Sequence, residues 1–172
     1  MKFLQHLLLL SATLFFIGTA NAQKGYIKLG EIKGEATQKG HENWINILSC
    51  SQSMSKAGAS ATGSTRMRAA TSLGDIVFRK KVDAATPKIT EALVRGNIIP
   101  SVDIDFVNAA GQTYYKIEMK NVLITSYNLD NKCDPNCEMS EEVAFYYEKI
   151  TWTYTDRNGS VIASTYDREK NK

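Results

Sequence analysis

From Tyr26 onward the chain is dominated by short runs in which apolar and polar residues alternate, separated by clusters of Gly, Asn, Asp and Ser. A period of two sends successive side chains to opposite faces, so the pattern predicts short strands of a barrel or sandwich. Trp44, Asn46, Leu48 and Cys50 share one parity and Ile45, Ile47, Ser49 and Ser51 the other, which predicts one strand across the stretch. Val102, Ile104 and Phe106 alternate with Asp103 and Asp105, giving a strand with one dry face and one wet face. Tyr115, Ile117 and Met119 alternate with Lys116, Glu118 and Lys120, and this strand continues through Val122, Leu123 and Ile124. Between Val143 and Tyr154 the large residues change parity: Phe145 and Tyr147 are odd, while Ile150, Trp152 and Tyr154 are even. That change predicts a β-bulge near Glu148-Lys149 or burial of both faces. Asn158-Gly159 predicts a type I′ hairpin turn, with positive φ at both residues, followed by a strand over 160–166.

One helix interrupts the strands. Thr86 is placed to cap it, Pro87 suits its first position, where no donor is needed, and Gly96 suits a left-handed exit. Ile89, Ala92 and Leu93 form a narrow apolar stripe, and Glu91 and Arg95 an i,i+4 pair. A stripe this narrow covers a sheet or a barrel end. Residues 51–70 are rich in Ser, Ala, Gly and Thr without periodicity and predict a long loop, of the kind that is commonly functional or disordered. The fold class is mainly β: an antiparallel barrel, with two packed sheets and one short helix on its side.

The first 22 residues change the picture of where the chain acts. Lys2 supplies a positive start, Leu7 to Ile17 an apolar stretch, and Ala20-Asn21-Ala22 a small-x-small cleavage site. The apolar run is shorter than the roughly 18 residues a membrane-spanning helix needs, so residues 1–22 are expected to be a removable signal. Residues 23–172 are expected to be one exported domain, periplasmic or secreted, with no membrane span. Cleavage removes one of 21 basic residues and none of 18 acidic ones, leaving a net charge of +2. So even a balance argues against nucleic acid as a partner.

Candidate chemistry is sparse. In an oxidising compartment Cys133 and Cys137 can close a small disulfide loop, leaving Cys50 as a buried free thiol. A metal site from those two cysteines and His41 lacks a convincing fourth ligand at finger-like spacing, and no cofactor signature is present. The loop ending Arg66-Met67-Arg68 has no Gly-Lys-Ser/Thr for phosphate. Those arginines suit a solvated loop end, an anionic partner or a polar lumen. His41 is the single histidine after the signal; Cys50 beside it lacks an activating third group. Asp103 with Asp105, and Glu141 with Glu142, are expected to be solvated faces rather than an acid/base couple. Nothing calls for a catalyst.

Four blocks, taken in order, resemble the Hcp family of type VI secretion tube proteins. They are residues 34–45, GEATQKGHENWI, with Leu48-Ser49 and Ser53 beyond; residues 78–89, FRKKVDAATPKI; residues 122–127, VLITSY; and Glu142-Val143 with Phe145 and residues 149–154, KITWTY. Gly34, Glu35, Gly40, His41, Trp44, Asp83 and Pro87 are the motif positions, expected to be structural. The resemblance implies a β-barrel subunit that assembles with itself into six-membered rings that stack into a tube, carry effector proteins and work with secretion-machine components. Tube subunits of that family need no cleavable signal, so the signal here implies a paralogue used beyond the inner membrane. The leading expectation is therefore a ring formed by head-to-tail contacts, with Ser55, Lys56, Arg66 and Arg68 on the long loop as candidate contacts between subunits. The alternative is a monomeric periplasmic or secreted binding or adhesion module that keeps only the barrel. An enzyme would need His41 and a carboxylate or thiol to converge in one pocket.

Overall fold

The computed structural model describes residues 23–56, 71–131 and 138–170. The predicted signal, the Cys133/Cys137 loop, Arg66 and Arg68 lie outside the described residues. Among the described residues, eight strands and one helix follow in order: β1 (Lys24–Leu29), β2 (Ile45–Ile47), β3 (Ser49–Lys56), β4 (Thr71–Lys81), α1 (Thr86–Arg95), β5 (Ile99–Val107), β6 (Thr113–Asn131), β7 (Met139–Thr155) and β8 (Val161–Asp167). They form one antiparallel sheet in the order β2-β1-β5-β6-β7-β4-β3, with β8 also on β7. β2 and β3 stand at opposite ends of that order, yet only Leu48 separates them in the chain. The sheet must therefore curl until its ends meet, and the Leu48 amide donates to the Arg79 carbonyl at 2.7 Å at the join. Curling removes sheet edges that would otherwise invite pairing with other chains.

The expected mainly β barrel with one helix is the observed architecture, and the differences from expectation are local. The single strand expected across 44–51 is divided at Leu48, which is 60% exposed, because the two halves take different partners: β2 pairs with β1 and β3 with β4. Residues 51–56, expected to be loop, are strand paired with 71–77. Ser55 and Lys56 thus stand opposite Ser72 and Thr71 at the exposed end of β3, not in a loop. Serine-rich sequence hides this strand because its pairing is dictated by β4. The parity change in β7 is real, but no register shift occurs at Glu148-Lys149: Lys120 faces Lys149 and Val122 faces Tyr147. Both strands switch faces together. Asn121, at φ 50°, turns β6 over, and its side-chain amide holds the Glu148 carboxylate across the strand. The one shift between these strands lies between Ile124 and Ser126.

The hairpin between β7 and β8 is longer than a two-residue turn, and only Gly159 has positive φ. The Asp156 carboxylate accepts from the amides of Asn158 and Ser160, drawing the chain into a wider loop. The β5–β6 connection is built alike: Asn108 Oδ1 accepts from Ala110 and Gln112, and Gly111 takes φ 78°.

Ile27, Ile45, Phe78, Ile104, Ile117, Met119, Phe145, Tyr147 and Ile150 fill the interior, each worth about 1.5–3 kcal/mol when buried. Ile89, Ala92 and Leu93 of α1 join them. The helix ends as Gly96 suggests, in a Schellman motif: the amides of Gly96 and Asn97 donate to the carbonyls of Leu93 and Ala92. Its start differs from expectation. Ala85 holds the N-cap position without a side-chain cap, and the Thr86 hydroxyl is engaged elsewhere.

Candidate functional site

Three places concentrate chemistry, and each follows from strand parity. Residues 31–44 fold back over the outer face of β1 and β5. Gly34 permits this, since a Cβ there would lie 2.5 Å from the Trp44 carbonyl oxygen and 2.6 Å from the Ile45 Cα. Gly40 turns the chain at φ 85°, and His41 is driven onto Tyr26, ring centroids 4.7 Å apart, with Trp44 edge-on at 4.8 Å. His41 Nε2 lies 2.9 Å from Asp105 Oδ2, which also accepts from the Thr113 hydroxyl at 3.2 Å. Asp105 was expected on a solvated face. Its outward parity is as read, but the folded-over segment covers it. His41 and a carboxylate thus meet inside packed aromatic rings, with the Thr113 hydroxyl on the same carboxylate oxygen. Cys50 lies on another wall, its thiol pushed up to about 11 by burial, and is not poised as a thiolate.

The second place is inside the barrel. Ile76, Phe78 and Lys80 share the inward parity of β4, and Glu141, Val143 and Phe145 that of β7, so Lys80 and Glu141 stand directly opposite each other, both fully buried. Lys80 Nζ lies 2.8 Å from Glu141 Oε1 and 2.6 Å from Asp83 Oδ1, and also donates to the Lys81 carbonyl and the Thr86 hydroxyl. The Thr86 hydroxyl donates to Glu141 Oε1 and the Tyr127 hydroxyl to Oε2. Burial, then the Glu141 carboxylate it faces, pushes the Tyr127 phenol up to about 12. Asp83 Oδ1 also accepts from the Ala85 amide, and Glu35 Oε1 accepts from the Ala84 amide, so the 31–44 segment and the core network hold the same helix start. Pro87 sits in the first turn that follows. Glu141 was expected to be solvated. Its parity with Val143 and Phe145 was the available signal, and Lys80 carried the same signal opposite. Among the described residues no group of three or more His, Cys, Asp or Glu side chains is arranged to hold a metal ion.

The third place is a surface. Phe106 pairs with Tyr115, Tyr115 with Tyr154, and Tyr154 with Ile162. Directly paired residues share a face, and this row lies two residues beyond Ile104, Ile117 and Trp152 along their strands, on the face that packs the core. It runs out past the barrel's cover: Phe106 and Tyr115 are half-buried, Tyr154 is 46% exposed and Ile162 70% exposed. A core-facing stripe left bare is what a partner would cover.

The chain's relatives can now be set beside this geometry. Residues 26–154 match the family described as type VI secretion system effector, Hcp. Protein hcp1 of Pseudomonas aeruginosa is 31% identical over 132 residues, which span 75% of this chain and 81% of that protein. The crystal structure of Hcp1 from Salmonella typhimurium superposes with a TM-score of 0.76 at 22% identity, covering 88% of this chain and 98% of that one. A structure described as a type six secretion system protein gives 0.81 at 22% identity, covering 88% and 99%.

Proposed function

This chain belongs to the Hcp family of type VI secretion proteins, and on that premise we propose that its copies close into six-membered rings, stacked into a tube, after the chain has left the cytoplasm. Its role is structural and not enzymatic. The observation that carries the reading is the outer end of the row Phe106, Tyr115, Tyr154, Ile162, where Tyr154 and Ile162 continue a core-facing stripe that the barrel leaves uncovered. A neighbour's different surface seated on that stripe makes a heterologous contact, and such contacts close into a ring or run on as a filament. Effector proteins carried in the lumen and components of a secretion machine are the partners of such a ring.

The export half rests on the signal pattern of residues 1–22. On that reading ring formation takes place in the periplasm or outside the cell, where Cys133 and Cys137 are expected to be joined. Light scattering on the mature chain tests the assembly: the expected particle has about six times the monomer mass, the number the Hcp resemblance implies for a closed ring. A monomer at every workable concentration would overturn the ring and favour the binding module.

A further inference from the structure

We propose that Gln23 is the first residue of the mature chain and is closed there into a pyroglutamate ring, seated against Tyr114 at the barrel's end. The proposal rests on the export reading, in which cleavage after Ala22 frees the Gln23 α-amine. An amino-terminal glutamine carries its own electrophile. The α-nitrogen, Cα, Cβ, Cγ and Cδ close a five-membered lactam when the amine attacks the side-chain carbonyl carbon. The N–Cδ bond forms, the Cδ–Nε2 bond breaks, and the departing nitrogen leaves as ammonia with one proton taken from the amine. No oxidant, reductant or metal is needed.

The fold leaves this residue free to react. Gln23 is exposed, one position ahead of β1, and Lys24 is the first residue held in the sheet, opposite Val107. It lies in a cleft of about 730 Å3 between the two Asx-built hairpins, with Asn108 and Gln112 on one side and Asp156 and Arg157 on the other. The Tyr114 hydroxyl donates to Gln23 Oε1 at 3.2 Å. That oxygen is kept as the lactam carbonyl, so the same hydrogen bond can hold the ring. Closure removes the charged amine from this end of the barrel and the free amino terminus that aminopeptidases require.

Intact-mass measurement on the exported chain, taken from native cell fractions, decides the matter. The expected mass is that of residues 23–172 less one ammonia and, if Cys133 and Cys137 are joined, two hydrogens, with reduction separating the two losses. Stepwise amino-terminal sequencing should fail until pyroglutamyl aminopeptidase removes one residue, after which Lys24 should be read first. A chain beginning at Gln23 with a free amine overturns the ring and leaves the export reading standing. A cut chain beginning at another residue overturns the proposal but not export, and an uncut chain overturns both. Gln23→Asn, whose closure would need a four-membered ring, should give a free amino terminus; a block that survives this substitution is a different modification and also overturns the proposal.

Discussion

Two buried polar clusters brace this barrel, one from inside and one from outside. Lys80 and Glu141 face each other across β4 and β7 on the core side, and Asp83, Thr86 and Tyr127 complete their hydrogen bonds. His41 and Asp105 meet on the outer face of β5, under a folded-over segment, and leave His41 Nδ1 and Asp105 Oδ1 without a partner. The inner cluster is closed and charged; the outer is aromatic and half-satisfied. The difference assigns their weights. Stripping one member from the inner set strands a full charge in the core, whereas the outer set keeps its ring packing when one polar contact goes.

Substitutions can break this contrast. Lys80→Met removes the cation and leaves Glu141 and Asp83 facing each other, and is expected to cost about 3–5 kcal/mol, read as a fall in the urea midpoint or as loss of soluble protein. Asp105→Asn keeps the shape and the Thr113 contact and is expected to cost about 1–3 kcal/mol, with the barrel still folded by circular dichroism. Equal losses would erase the distinction between the clusters. The smallest effect sharpens it at high pH. Burial and the Glu141 carboxylate raise the Tyr127 phenol from 10.0 to about 12, so the fold favours its neutral form. That stabilisation is whole below pH 10 and is lost as pH rises through about 12. Tyr127→Phe should therefore flatten the alkaline limb of stability against pH relative to the parent chain; superimposable limbs would remove Tyr127 from the network's energetics.

Period-two patterning made the barrel legible because strands with one wet face display it, as at Val102 to Phe106. The helix was legible by other signals, its proline and glycine at the two ends and the Ile89, Ala92, Leu93 stripe between them. What local patterning left hidden was non-local. The division at Leu48, the strand at 51–56 and the cover over Asp105 depend on partners remote in the chain, and no local propensity encodes them. The inner ion pair was legible in principle, since Lys80 and Glu141 each carry the parity of neighbouring core residues. Charge outweighed parity in reading Glu141 as solvated. The paired face switch at Asn121 and Glu148 lay half visible: the change in β7 could be read, while its match in β6 needed the register.

The central claim is that the bare end of the core-facing row is buried by a neighbouring copy. Its most direct test is the native mass of the mature chain carrying Tyr154→Lys and Ile162→Lys, beside that of the parent, with thermal unfolding recorded on both. The account predicts a closed particle of about six subunits for the parent, the number the Hcp resemblance implies for such a ring, and a folded monomer for the variant. A variant that keeps the parent's assembled mass would contradict it.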